Sequence, residues 1–254
     1  MAIIAGISAL GLATIDFGIV VLRCKWDYYL LMIIAIDGPS GVGKSSVSGL
    51  VAKALGFNCL DTGAMYRAVA FFALNGGVAI NDETRLTWIA QSMPIEFSYE
   101  EGKRSPVGVS IDGYNVTREI RTAKVDRAVI QVCQVAGVRE ALVDQQRRIG
   151  SSGDFVVEGR DIGTVVFSDA ELKIFMTASA EARAWRRVLQ NEERGVGYTD
   201  FKKVLDDMQC RDEADSTRSN SPLKPAEDSI IFDTTEYTQN QVVEQICKLA
   251  RDHG

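Results

Sequence analysis

Histidine is almost missing from this 254-residue chain; its one copy, His253, stands next to the C-terminal residue. That excludes histidine triads, histidine metal sites and a histidine general base. Cysteine is sparse and scattered. The five copies, at positions 24, 59, 133, 210 and 247, form no C-x-x-C pair. Neither a zinc site nor a disulfide framework is indicated, and reduced thiols suit a cytoplasmic setting. Positive charge is not in surplus either. Against 28 Lys and Arg stand 34 Asp and Glu, a net charge of −6, which argues against a general nucleic-acid or membrane-surface binder. Internal repeats and low-complexity tracts are also lacking. Chemistry must therefore come from carboxylates, arginines, lysine and a metal ion. A local arginine cluster, not the field of the whole molecule, must attract any anionic substrate.

The length is enough for a large core and fits one α/β domain with inserted subdomains. Residues 1–31 do not match the rest. Positions 2–22 are almost wholly apolar, broken by Asp16 and followed by Arg23 and Lys25. The run is long enough to span a bilayer, but the aspartate is costly there and no positive segment precedes it. It reads as a non-native or upstream-start extension, with a membrane anchor as the alternative, and the domain proper as residues 32–254.

Within that domain apolar strands alternate with helical periodicity. Strands are expected over 33–37, 57–60, 155–158, 172–176 and 229–232. Helices are expected over 44–55, 64–74, 138–149, 180–193, 200–211 and 239–250, the last with a Thr238–Gln241 capping box. This alternation implies an α/β fold: a mostly five-stranded parallel sheet with helices on both faces. Residues 94–121 break the rhythm with short β segments and an Asp112-Gly113 hairpin signal, so a small antiparallel insertion is expected there. The charged, glycine-containing stretch at about 191–199 reads as a mobile lid.

The most specific motif follows the first strand. Gly38, Pro39, Ser40, Gly41, Val42, Gly43, Lys44, Ser45 and Ser46 contain a complete G-x-x-x-x-G-K-[ST] loop between a strand and a helix. Its glycines let several backbone N–H groups converge on one anion. Lys44 can reach the outer phosphates, the Ser45 hydroxyl can hold magnesium, and the helix adds the positive end of its dipole. This is a nucleotide-phosphate site.

Four further segments are individually weak. Residues 61–67 (DTGAMYR) end a strand and open a helix. Thr62 as its cap and Arg67 as a surface arginine would explain them. Residues 119–122 (EIRT) add Arg121. Residues 158–164 (EGRDIGT) leave a buried strand at the sheet's carboxyl edge, where ligands gather; Arg160 and Asp161 there either close a loop or face a substrate. Arg211, Asp215 and Arg218 share one face at helical spacing, as a solvated ion-pair row or as a substrate wall.

In this order after a phosphate loop, the segments resemble the bacterial type of cytidylate kinase from residue 32 to about residue 248. The resemblance implies a P-loop kinase fold with a monophosphate-binding insertion and a lid, and ATP:CMP phosphotransfer with dCMP as second acceptor. It implies ATP on residues 38–46 and the monophosphate on Thr62, Arg67, Arg139, Arg160, Asp161, Arg211, Asp215 and Arg218. Lys44, Arg160, Asp161 and Arg211 would be the catalytic set, with Mg2+ near Ser45 held mainly by the nucleotide. Arg183, Arg186, Arg187 and Arg194 flank the presumed lid, where some would close on the transferring group. A cytoplasmic monomer without nucleic-acid or membrane partners is the matching expectation. One position departs from the pattern: Ile130 stands where the family usually has a serine associated with the cytosine base. UMP, dTMP, AMP or shikimate as acceptor, or a non-catalytic nucleotide-binding module, are the alternatives.

Overall fold

The computed structural model describes residues 31–195 and 197–253. The expected N-terminal extension, Leu31 apart, lies outside the described residues. In chain order the elements are β1 (Ile33–Asp37), α1 (Lys44–Leu55), β2 (Asn58–Asp61), α2 (Thr62–Asn75), α3 (Glu83–Ser92), β3 (Ile95–Ser98), β4 (Gly108–Ile111) and β5 (Tyr114–Asn115). Next come α4 (Ala123–Val132), α5 (Ala136–Gly150), β6 (Phe155–Glu158), β7 (Leu172–Thr177), α6 (Ala180–Arg194), α7 (Phe201–Thr217), β8 (Ile230–Asp233) and α8 (Gln239–His253).

The five-stranded sheet has the order β2-β6-β1-β7-β8, and every pairing is parallel. All five residues of β1 are buried. Side chains alternate between the faces of a strand, so Ile34 and Ile36 join Val47, Val51, Val242 and Ile246 beneath α1 and α8. Ile33 and Ala35 point the other way, into a cluster with Leu60, Val143, Val157 and Ile162. An apolar strand covered on both sides is what crossover connections produce. A third cluster joins α2, α3, α4 and α5 to the antiparallel strands, with Met65, Leu86, Ile111, Ile120 and Leu142 fully buried.

The insertion is a three-stranded antiparallel sheet, β3-β4-β5. Asp112 and Gly113 turn its second hairpin with φ of 50° and 75°, the double positive-φ geometry that an Asp-Gly pair allows. The insertion also closes an edge of the main sheet. Cys59 N donates to Arg104 O at 2.8 Å, and the Tyr99 hydroxyl donates to Cys59 O at 3.0 Å. An unpaired strand edge invites aberrant association; here β2 is occupied by its own chain.

Three differences from the sequence-based expectations have physical causes. α3 and α4 were not expected. Each is only ten residues long, and α4 carries Val125, Val129, Ile130 and Val132, β-branched residues that weigh against helix. Packing overrides that preference: Val125, Ala128, Val129 and Val132 are buried on one helical face, and Thr122 caps the start. Thr62 does not cap α2. Asp61 does, its carboxylate accepting from Ala64 N at 3.1 Å. Finally, α7 continues to Thr217, six residues beyond the expected end at 211.

Leu142 is the point at which the third cluster is most exposed to test. Leu142→Ala should lower stability to urea by about 2–5 kcal/mol, as expected for a fully buried leucine. A loss well under 1 kcal/mol would show that the cluster closes around the gap.

Candidate active site

The carboxyl ends of β1, β2 and β6 lie side by side, with Asp61 paired to Glu158 and Ile36 to Glu158 in register. This edge carries a cavity of about 500 Å³ whose wall includes Ser40 to Val47, Thr62, Arg67, Arg139, Glu158, Arg160, Asp161, Arg211, Asp215 and Arg218. The loop 38–43 is shaped by its glycines. Gly38 sits so close to β7 that a Cβ would stand 2.2 Å from Met176 O. Gly43 is left-handed at φ 95° and precedes α1, which no side chain caps. The first N–H groups of α1 therefore face the cavity unpaired by side chains, at the positive end of the helix.

Lys44 is buried, its Nζ donating to Gly38 O at 2.6 Å and Pro39 O at 2.7 Å. Burial, helped by nearby Arg160, holds its amine well below the ordinary lysine value. Gly38 and Pro39 thus act through carbonyls that hold Lys44, and they do not line the cavity.

Across the cavity the guanidinium groups are interleaved with carboxylates. Arg139 pairs with Asp161, both almost fully buried, and Arg218 approaches the other oxygen of Asp161 at 3.7 Å. Arg160 Nε donates to Asp215 at 2.9 Å. Burial pushes the Asp215 carboxyl up, but Arg160, Arg211 and Arg218 win and hold it below the ordinary value. Two arginine nitrogens, Arg139 Nε and Arg218 Nη2, are buried without a hydrogen-bond acceptor. Arg67 pairs with Asp126 on α4, and Arg121 reaches Asp61 at 3.5 Å on the rim. Arg211 is different. No ion pair or hydrogen bond engages it among the described residues. Burial, with repulsion from Arg160 and Arg67, lowers its guanidinium to about 10.

The loop that carries Arg160 and Asp161 is fixed from below. After β6 the chain makes a π turn at Ile162–Val166. Both Asp37 oxygens accept backbone N–H groups from it, Ile162 and Gly163, each at 2.8 Å. Burial lifts the Asp37 carboxyl to about 6 despite these bonds. Thr62 also braces the edge, its hydroxyl donating to Glu158 O at 2.7 Å.

The arginines flanking the presumed lid divide. Arg183 is buried against Asp212 and donates to Ser40 O at 3.0 Å, outside the cavity wall. It is committed to holding the phosphate loop and cannot close on a transferring group. Arg186 lines the cavity and ties α6 to Thr234 O at 2.6 Å. Arg187 lines the cavity too, reaching Ser40 Oγ at 3.4 Å. The side chain of Arg194 lies outside the described residues. Ile130 is half-buried on α4 and neither it nor Gln131 lines the cavity; from α4 the wall takes Ala123, Asp126 and Val129.

A family model for cytidylate kinase matches residues 34–252. The chain belongs to this family. It is 44% identical over 222 residues to the cytidylate kinase of Pseudomonas aeruginosa (strain UCBPP-PA14), covering 87% of this chain and 96% of that one. It is 48% identical over 215 residues to the cytidylate kinase of Rhodococcus opacus (strain B4), covering 84% and 91%. With that of Lysinibacillus sphaericus (strain C3-41) it shares 43% over 221 residues, covering 86% and 96%.

Among the described residues no group of three His, Cys, Asp or Glu forms a self-contained metal site. A cation shared with a nucleotide fits better. Glu158 is buried at the end of β6 with Oε1 lacking any partner, and the Ser45 hydroxyl is near enough to lower its pKa. A carboxylate beside a hydroxyl is a hard oxygen set that suits magnesium. The sequence reading gave Glu158 no role, although it opened the 158–164 motif at the end of a buried strand.

Burial, reinforced by Asp61, raises the Glu158 carboxyl from 4.5 to about 7. Between those values the folded chain keeps a proton that the unfolded chain has released. The resulting advantage is full below the lower value and is lost as pH rises through the upper one. Relative to Glu158→Gln, the unliganded wild type should therefore lose about 1–3 kcal/mol between about pH 5 and about pH 8 in urea unfolding. Parallel pH curves for the two proteins would contradict this.

Proposed function

We propose that this chain transfers the γ-phosphoryl group of ATP to CMP, and to dCMP as second acceptor, giving ADP and CDP or dCDP. One observation carries the reading beyond nucleotide binding: a cluster of arginines outside the phosphate loop lines the cavity, and among the described residues Arg211, half-buried beside Arg160 and Arg67, is held by no ion pair or hydrogen bond. A cation in that position gains most from a substrate phosphate. A nucleotide switch would need no such cluster beyond its phosphate loop.

Phosphoryl transfer asks for two anions aligned end to end and for cations around the charge that develops between them. The backbone N–H groups of residues 41–46, which run into the start of α1, hold the donor phosphates, while the Ser40 N–H is taken by Asp212. Lys44 exchanges two carbonyls for phosphate oxygens, a stronger charge-assisted pairing. Ser45 and Glu158 are the residues that would hold magnesium with the nucleotide; bound there, it offsets phosphate charge as the bond to the leaving ADP lengthens. Arg67, Arg139 and Arg160, with Thr62, receive the acceptor, and Arg211 and Arg218 cover its phosphate. Asp215 faces the sugar, and Asp161 the ribose or base. The attacking oxygen belongs to the acceptor's own phosphate and is already anionic near neutrality. No general base is needed, which suits a chain whose single histidine is terminal. α6, whose last turn takes in residues 191–194 of the expected lid, and α7 would close over the donor with Arg187.

Initial-rate ADP release with magnesium–ATP and a panel of CMP, dCMP, UMP, dTMP and AMP tests the assignment. CMP and dCMP should be used at least tenfold better than the others. Lys44→Ala should abolish turnover, and Arg211→Ala should reduce kcat/KM for CMP by about 10²- to 10³-fold or more. Equal use of all five acceptors, or an Arg211→Ala enzyme with wild-type constants, would overturn it.

A further inference from the structure

Among the arginines proposed to meet the acceptor phosphate, Arg67 is held in a way the others are not. Its Nη1 lies 2.5 Å from Asp126 Oδ1 and donates to Ile120 O at 3.3 Å. Arg67 and Asp126 both line the cavity. Arg67 is also near enough to Arg211 to lower that group's pKa. Arg67 is thus paired with Asp126 while within electrostatic reach of the cation cluster.

The carboxylates of this wall differ in how firmly they are committed. Asp161 lies between Arg139 and Arg218, and Asp215 between Arg160 and Arg218. Their side chains are only 7% and 15% exposed, and releasing either would leave a largely buried arginine, Arg139 or Arg160, without its carboxylate. Asp126 is 41% exposed, pairs with one arginine and can be rehydrated on release. A carboxylate and a phosphate monoester offer a guanidinium similar oxygen pairs, but the phosphate carries more charge.

We propose that Asp126 is a positioning residue that serves as a stand-in anion, holding Arg67 in the empty cavity and yielding it to the acceptor's phosphate. The inference rests on the reading that Arg67 meets that phosphate. Two consequences follow from charge alone. Acceptor binding has to break the Arg67–Asp126 pair, and it brings a dianion towards a carboxylate. Both weaken acceptor and diphosphate product, so Asp126 favours release over retention.

Steady-state kinetics with CMP varied at saturating ATP, on Asp126→Asn, Arg67→Met and the double variant, test this. Asp126→Asn should lower KM for CMP by about two- to fivefold and tighten inhibition by CDP in the same ratio, with KM for ATP unchanged. A raised KM would make Asp126 a simple brace for Arg67 and overturn the proposal, as would an unchanged KM. In the Arg67→Met background the Asp126→Asn effect should shrink markedly, leaving only the part due to repulsion. Its full persistence would assign it to repulsion without exchange and overturn the proposal too. If Arg67→Met itself leaves KM for CMP unaltered, the phosphate reading of Arg67 fails instead.

Discussion

Guanidinium groups repel one another, yet this fold brings eight of them (Arg67, Arg121, Arg139, Arg160, Arg186, Arg187, Arg211 and Arg218) to one cavity before any substrate arrives. The structure tolerates this because Asp161 and Asp215 are each set between two arginines. Such pairs contribute little net stability, since desolvation of both partners offsets their attraction. What they supply is fixed orientation of the cations, at the cost of leaving some N–H groups without acceptors. Arg211 feels Asp215 but makes no ion pair or hydrogen bond among the described residues. On the proposed reading, a wall built this way is completed by an anion.

The sheet explains how the wall can be rigid. Register places Asp61 and Glu158 side by side at the carboxyl edge, and Asp37 ends β1 at the same edge. Each uses its position differently. Asp61 caps α2 and so aims Arg67 one turn further on. Asp37 takes two amides of the π turn and so fixes the loop bearing Arg160 and Asp161. Glu158 is left with a free oxygen beside the phosphate loop. Three acids on adjoining strands thus divide three tasks: starting a helix, anchoring a turn and, on the proposed reading, offering a cation ligand.

The phosphate loop was legible in the sequence because its constraint is local: a strand, positive-φ glycines and a helix start within fourteen residues (33–46). The parallel sheet was legible for a similar reason, since its strands are short apolar runs between amphipathic helices. The α4 region was not. Its β-branched residues point one way and its burial pattern another, and only packing against α2 decides. The same limit applies to Asp126 and Glu158, whose roles depend on partners 59 and 113 positions away, at Arg67 and Ser45. Arg183 was legible as a basic residue near the presumed lid; its commitment to Asp212 and Ser40 was not.

The central claim is that the cation wall binds the acceptor through its phosphate. Calorimetric titration of CMP and of cytidine into the protein without any donor tests it most directly. The account predicts that CMP binds and that cytidine, lacking the phosphate, binds at least about a hundredfold more weakly. Equal affinities for the two would contradict it.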